Sequence, residues 1–478
     1  MRGAKIMGNW RRPILGFYDT HVTRNPVPNH VAFLSDFYTW PITQRRSTQA
    51  QQLKQLLIHA ARSVPYYEDL LRQAGVVDGD HVDLTRFSQI PELTRDHLHN
   101  EFERLKSRDY STRPWYKNGS GGSSGIPVVV LQDRFYDEIG RSTQVMLQRW
   151  AGWDSGEPYV TLWGSERDVL LGTSGWRNRL SNFIRNKTFL NSWCMSQLDL
   201  ERYAKIMQQV RPVMIEAYAE SVYELARYIN DHGIKITSVR GVVTSAGTLY
   251  PFIRNEVEKA FGCSVLNRYG SREVGTFAGE RVAGEGMDVF TYTHLVEVVN
   301  ERGEPCKPGE EGDVLVTCMT NYTMPIIRYR IGDRAVVGAL TEYPTPSVEK
   351  LQTVTGRIMD TFVRADGSTV PGNFFMHFLG KVHNDGWLKK TQVIQTDYNS
   401  ILIKLITEAT PPACALEDIR TSFQRVMGDG CNVEFELVDS IPPLASGKYR
   451  YAVSLVKHPR MCHNYPLSSF VNEDKMAS

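Results

Sequence analysis

The chain has 478 residues, 41% of them hydrophobic, with 55 Lys and Arg against 53 Asp and Glu for a net charge of +2. That length exceeds what one core fills and points to two or three domains. The near-balanced charge leaves no electrostatic footprint for nucleic acid or an anionic membrane. The longest apolar run, around Ile126–Leu131, is far too short to span a bilayer, and the basic N-terminus lacks an apolar signal-peptide core. A cytoplasmic location is therefore expected. Seven scattered cysteines without CxxC spacing, and no HExxH motif, exclude an evident disulfide framework or zinc site.

In chain order, residues 1–46 are rich in aromatics, proline and arginine and give no clear element. From Thr48, the spacing of Leu53, Leu56, Leu57, Ala60, Ala61 and Val64 predicts a helix stopped by Pro65, and a second helical stretch ends near Gly75. Further on, predicted helices at Tyr203–Val210, Ser221–Asn230 and Arg254–Phe261 alternate with short buried strands at Gly241–Thr244 and Ser264–Leu266, an α/β pattern. After Gly312 the texture becomes strand-rich. From about residue 357, strands at Val393–Gln395, Ile401–Leu405 and Val433–Val438 surround a helix bearing Leu416, Ile419, Phe423 and Val426 on one face. The expected architecture is a large N-terminal α/β domain, residues 47–356, preceded by an N-terminal extension, 1–46, and followed by a small C-terminal α+β domain, 357–478.

Four segments carry candidate chemistry. Between Asn118 and Gly125 lie four glycines and three serines, closed by Ile126-Pro127 and a β-branched run. Such a stretch offers converging N–H donors with no Cβ in the way, as a polyphosphate requires, though a flexible linker has the same composition. It lacks the Gly-Lys-Ser/Thr of a Walker A loop and the spacing of a dinucleotide fingerprint. Next, Asn267–Gly275 follows a predicted strand and contains Tyr269, able to stack on a base, and Glu273, able to hold Mg²⁺ beside phosphates. In Ile327–Arg334, Asp333 follows a glycine at an expected strand end and is suited to ribose hydroxyls, or to a plain turn. Finally, Pro442–Arg450 presents Lys448 in a Pro/Gly-framed loop. Each segment alone has an ordinary structural alternative. Their order is more specific.

In that order they resemble the adenylate-forming superfamily of acyl-CoA synthetases, peptide-synthetase adenylation domains and luciferases. Ser120-Gly-Gly-Ser-Ser-Gly-Ile-Pro127 resembles its phosphate loop, Tyr269-Gly-Ser-Arg-Glu273 its Tyr-Gly-x-Thr-Glu segment, and Tyr329-Arg-Ile-Gly-Asp333 its Tyr-Arg-Thr-Gly-Asp segment. Gly356-Arg357 resembles its hinge and Ser446-Gly-Lys448 its late lysine loop. The nearest likeness is to phenylacetate-CoA ligases and CapK-type proteins of capsular-polysaccharide clusters, through Ser63-Val-Pro-Tyr-Tyr67, Ala217–Arg227 and Val243-Thr-Ser-Ala-Gly247.

The resemblance implies an AMP-binding fold with a C-terminal lid. It implies phosphates cradled by Ser120, Gly121, Gly122, Ser123, Ser124 and Gly125, adenine against Tyr269, and Gly270 and Ser271 among the nucleotide-binding residues. It further implies Mg²⁺ on Glu273, ribose on Asp333, Arg357 near ribose, and Lys448 as the catalytic cation between the acid and the α-phosphate of ATP. The implied reaction makes an acyl-adenylate from a carboxylic acid, releases pyrophosphate, and passes the acyl group to a thiol, coenzyme A first. A carrier-protein thiol, an amine or a sugar amine are alternative acceptors, and a non-catalytic nucleotide-binding homologue is a further alternative. Ile126, Met359, Ser271 and Arg272 depart from the superfamily pattern. Tyr136 and the aromatics of Trp150–Trp163 suggest an apolar or aromatic acid, with core packing as the alternative use of those tryptophans.

Overall fold

The computed structural model describes residues 9–119, 128–163, 176–192, 195, 197–245, 249, 251–341, 345–354, 361–372, 375, 379, 387–407, 409–441 and 452–456. The stretch without a sequence assignment is helical: Arg11–Phe17 and Val27–Phe37 are α-helices. Leu34 of the second is fully buried with Met146, Leu147 and Phe290. The next helix, Ile42–Ser63, starts six residues before the expected Thr48. Its first buried positions, Arg46 and Gln49, are polar, which hid the periodicity. Arg46 pairs with Glu349, and Gln49 donates to the His294 carbonyl at 2.9 Å.

A two-strand ribbon, β1 (Val77–Asp78) and β2 (His81–Val82), precedes a hairpin of β3 (Trp115–Gly119) and β4 (Val129–Asp133). A parallel series follows: β5 (Tyr159–Trp163), β6 (Lys187–Asn191), β7 (Met214–Tyr218), β8 (Gly241–Ser245) and β9 (Ser264–Ser271). The chain then turns antiparallel through β10 (Gly275–Glu280), β11 (Met287–Val289), β12 (His294–Val299), β13 (Glu311–Cys318), β14 (Ile326–Thr341) and β15 (Ser347–Val354). All belong to one sheet of order β12-β13-β14-β15-β11-β10-β9-β8-β7-β5-β6. Strand β9 is its seam, parallel to β8 and antiparallel to β10.

The parallel half is covered on both faces, as such sheets require. Val160, Leu162, Ile215, Ala217, Val242 and Val265 face helices Gln197–Val210, Ala219–Asp231 and Pro251–Phe261. On the other face, Met214, Val243 and Leu266 pack with Ala151 and Trp153 at the end of helix Arg134–Trp150. Trp153 is a core residue, and Trp150 packs against Phe290.

The C-terminal residues form a ribbon, β16 (Thr361–Val363) and β17 (Thr369–Pro371), and a second sheet of β18 (Leu388–Asp397), β19 (Ser400–Thr407), β20 (Asn432–Leu437) and β21 (Ala452–Ser454), ordered β20-β19-β18-β21. Helix Ala413–Met427 lays Ile419, Phe423 and Val426 onto Val393, Ile403 and Val433, a core separate from the large sheet. The expected boundary at Thr355–Arg357 lies outside the described residues. Among the described residues no helix is long and apolar enough to cross a membrane.

Candidate functional site

The seam strand brings the separate motifs together. Flat strands lie about 4.8 Å apart, so β9 and β14, four steps apart in strand order, would stand roughly 19 Å from each other in a flat sheet. Instead the Tyr269 hydroxyl donates to Asp333 Oδ2 at 3.0 Å. The antiparallel half therefore curls strongly, and two motifs separated by 64 residues in sequence become hydrogen-bonded neighbours. A register shift between Thr276 and Ala278 frees Phe277 to pack edge-on against the Tyr269 ring, centroids 4.5 Å apart. That contact fixes the plane of the tyrosine.

Gly270 is required for a spatial reason. A Cβ there would sit against the Gly275 carbonyl oxygen and 2.7 Å from Thr276 Cα, both backbone atoms of β10. Asp333 was expected at a strand end, but β14 runs on to Thr341. Gly332, at φ +87°, bends the strand without ending it. The strand is anchored just before this bend by Arg328, which pairs with Glu297 at 3.0 Å, both side chains buried.

The Gly/Ser segment is held at both ends by the β3–β4 hairpin, in which Gly119 pairs with Val129. Ser120, Gly121, Gly122, Ser123, Ser124 and Gly125 lie outside the described residues, as do Arg357 and Lys448. The mouth of the hairpin is tied to the turn carrying Glu273. Buried Gln132 donates to the Arg272 carbonyl at 2.8 Å, and Asn118 donates to Gln132 Oε1 at 2.9 Å. Arg272 Nη1 returns a hydrogen bond to the Gly119 carbonyl at 3.1 Å. The arginine that departs from the Tyr-Gly-x-Thr-Glu pattern thus ties the turn to the start of the loop.

Glu273 is 5% exposed, and its Oε1 stands 3.9 Å from Arg95 Nη1. Arg95 opens a short helix capped by Thr94, whose hydroxyl accepts from the His97 N–H. That helix is hooked to β14, because Leu93 N–H donates to the Arg328 carbonyl and Arg330 N–H to the Leu93 carbonyl. Glu273 is one loosely paired carboxylate, the kind of donor that a phosphate-bound Mg²⁺ takes along with phosphate oxygens. Among the described residues no cluster of three His, Cys, Asp or Glu side chains exists to hold a metal by itself.

Sequence reasoning did not find Arg95, Gln132 or the polar cluster beneath the rim of the parallel strands. There, Glu216 of β7 accepts from Arg268 at 2.7 Å, Gln144 at 2.9 Å and Gln148 at 3.2 Å. Beside it a cavity of about 200 Å³ is lined by Tyr136, Gly140, Gln144, Gly275, Thr276 and Thr293, among others. Gly275, at φ +78°, leaves room there for the Tyr136 hydroxyl, which a Cβ would meet at 2.7 Å.

Residues 362–454 match the family of the CapK C-terminal domain. Protein CapK of Staphylococcus aureus is 23% identical over 420 residues, covering 86% of this chain and 89% of that protein. Phenylacetate-coenzyme A ligase of Escherichia coli strain K12 is 25% identical, covering 69% of this chain and 75% of that enzyme. Among solved structures, 2-hydroxyisobutyryl-CoA ligase in complex with 2-HIB-AMP and CoA superposes with a TM-score of 0.57 at 16% identity, covering 87% of this chain and 91% of that one. The chain thus shares the fold of this ligase, is similar over most of its length to CapK and the phenylacetate-coenzyme A ligases, and matches the CapK C-terminal domain family in its last part.

Proposed function

We propose that this protein is an AMP-forming ligase that converts a carboxylic acid to its acyl-adenylate and then transfers the acyl group to a thiol, coenzyme A first. The observation that carries the reading is the contact of Tyr269 with Asp333, beside a turn tied to the mouth of the Gly/Ser loop. In this reading Asp333 accepts from the ribose hydroxyls and Tyr269, with Gly270 and Ser271, borders adenine. Ser120–Gly125 surround the phosphates with N–H and hydroxyl donors. Glu273 would hold Mg²⁺, which neutralises phosphate charge when bound, and Arg95 adds a cation at the same carboxylate. Arg357 lies near the ribose. Lys448 places its ammonium between the acid carboxylate and the α-phosphate, where two anions must approach. The motif match supports these last two roles.

The acid enters from the rim of the parallel strands, the side on which ligands of such sheets bind. The relationship to phenylacetate-coenzyme A ligases supports a thiol acceptor. A C-terminal domain of the CapK family favours a second reading, in which the acceptor is a carrier-protein thiol, an amine or a sugar amine.

The test is acid-dependent exchange of labelled pyrophosphate into ATP. Exchange with at least one acid is expected, together with a loss of about 100-fold or more in Lys448→Ala. Exchange that survives this substitution would remove Lys448 from the reaction. Failure of CoA to discharge a formed adenylate would select the second reading of the acceptor.

A further inference from the structure

The registers across the parallel strands put four residues in one row at their C-terminal rim. Tyr218 pairs with Ser245, and Trp163 and Arg268 stand one residue beyond the pairs Leu162–Ala217 and Thr244–Asn267. Residues in one row of a sheet share a face. The rings of Trp163 and Tyr218 accordingly lie 4.0 Å apart by centroid, and the Arg268 guanidinium sits 5.6 Å from the Trp163 centroid. Arg268 immediately precedes Tyr269, which faces the proposed nucleotide side.

Arg268 is paired in charge by Glu216 but engaged through one donor. Its side chain is 11% exposed, yet among the described residues it makes one hydrogen bond, from Nη1 to Glu216 Oε1. A guanidinium carries five N–H donors, so those not engaged by Glu216 stay open at the rim, and a ligand that covered them without offering an acceptor would be penalised. Glu216 is itself nearly buried and balances the arginine charge. The pair is therefore electrically neutral, with donors left for a ligand, beside the Trp163 and Tyr218 rings, which pack on each other at an interplanar angle of 35°.

We propose that Arg268 is the specificity residue for the acid, and that the acid carries a second, uncharged oxygen, hydroxyl or carbonyl, remote from the carboxylate that is activated. This rests on the adenylation reading above. A purely apolar acid would bury the guanidinium without supplying an acceptor. A second carboxylate would be brought close to Glu216 and repelled by it. A neutral oxygen accepts from Arg268 and, as a hydroxyl, can also donate to Glu216. Trp163 and Tyr218 favour a flat carbon skeleton between the two ends.

The experiment measures pyrophosphate exchange with matched acids of one skeleton: phenylacetate and its hydroxylated forms, benzoate and its hydroxylated forms, and the corresponding dicarboxylates. ATP binding is followed in parallel by tryptophan fluorescence. The wild-type protein is expected to prefer a hydroxylated member by about tenfold or more, because a site that hydrogen-bonds a substrate oxygen rejects the analogue lacking it. Arg268→Met should erase that preference while retaining exchange with the apolar member. The double variant Arg268→Met, Glu216→Gln covers the case in which an unpaired buried glutamate disturbs folding. Equal use of the apolar member, a preference for a dicarboxylate, or an unchanged preference in a folded Arg268 variant overturns this proposal and leaves adenylation standing. ATP binding without exchange for any acid overturns the adenylation reading, and this proposal with it.

Discussion

Tyr269 does two things at once: its ring packs against Phe277, and its hydroxyl holds one oxygen of Asp333. Tyr269→Phe keeps the ring and removes a hydrogen bond of about 1 kcal/mol. If Asp333 receives ribose, the KM for ATP in exchange assays should rise about fivefold with kcat little changed; a fall in kcat alone would place the tyrosine elsewhere in the reaction. His294 acts from behind the site. Its Nε2 meets the Val274 carbonyl at 2.7 Å and its Nδ1 the Thr293 hydroxyl at 2.8 Å, so the neutral ring donates through Nε2 and accepts at Nδ1. Burial lowers its pKa to about 4, against the partial opposition of the Val274 hydrogen bond. The unfolded chain then takes up this proton first, near its ordinary value of about 6.5. Stability from this group is complete above about pH 6.5 and declines as pH falls towards 4, by about 3 kcal/mol in all. Urea unfolding of the wild-type protein and His294→Gln at pH 7, 5.5 and 4.5 should show a shallower acid decline in the variant. Parallel declines would mean that acid acts through other groups.

Among elements, the β9–β10 pair is the least tolerant of change, because Gly270 is overlain by β10 backbone that has nowhere to retreat. Gly270→Ala should cost roughly 1–3 kcal/mol by overpacking and weaken ATP binding more than it weakens the fold, since Tyr269 and Glu273 flank the displaced residue. Equal ATP affinity in Gly270→Ala, measured by fluorescence titration, would show that β9 and β10 can part at no cost to the site. The strands themselves were legible in sequence: Gly241–Thr244 and Ser264–Leu266 reappear within β8 and β9, and the helix bearing Ile419 and Phe423 lies at Ala413–Met427. Legibility failed where polar residues do structural work in buried positions. Arg46 and Gln49 concealed the first two turns of helix Ile42–Ser63, and Gly332 imitated a strand end. In the site, Tyr269, Glu273 and Asp333 stood out by local pattern. Gln132, Arg95 and Arg268 did not, because each acts on a partner far along the chain, as Gln132 does on the Arg272 carbonyl, and no short spacing announces such a contact.

For the molecule as a whole, the small C-terminal core packs around its own helix, while the large sheet joins a parallel and an antiparallel half through a single strand. The shared strand bears on how the chain acquires its site. Residues from Trp115 to Ser271 supply the hairpin, the parallel strands and Tyr269, but the ring rests on Phe277 and its hydroxyl on Asp333, which arrive only with the later, antiparallel strands. A nascent chain that has emerged as far as β9 therefore holds every parallel strand but neither partner of Tyr269. Closure of the curled half brings Tyr269, Phe277 and Asp333 together, so on the proposed adenylation reading ATP would favour the joined sheet over either half alone.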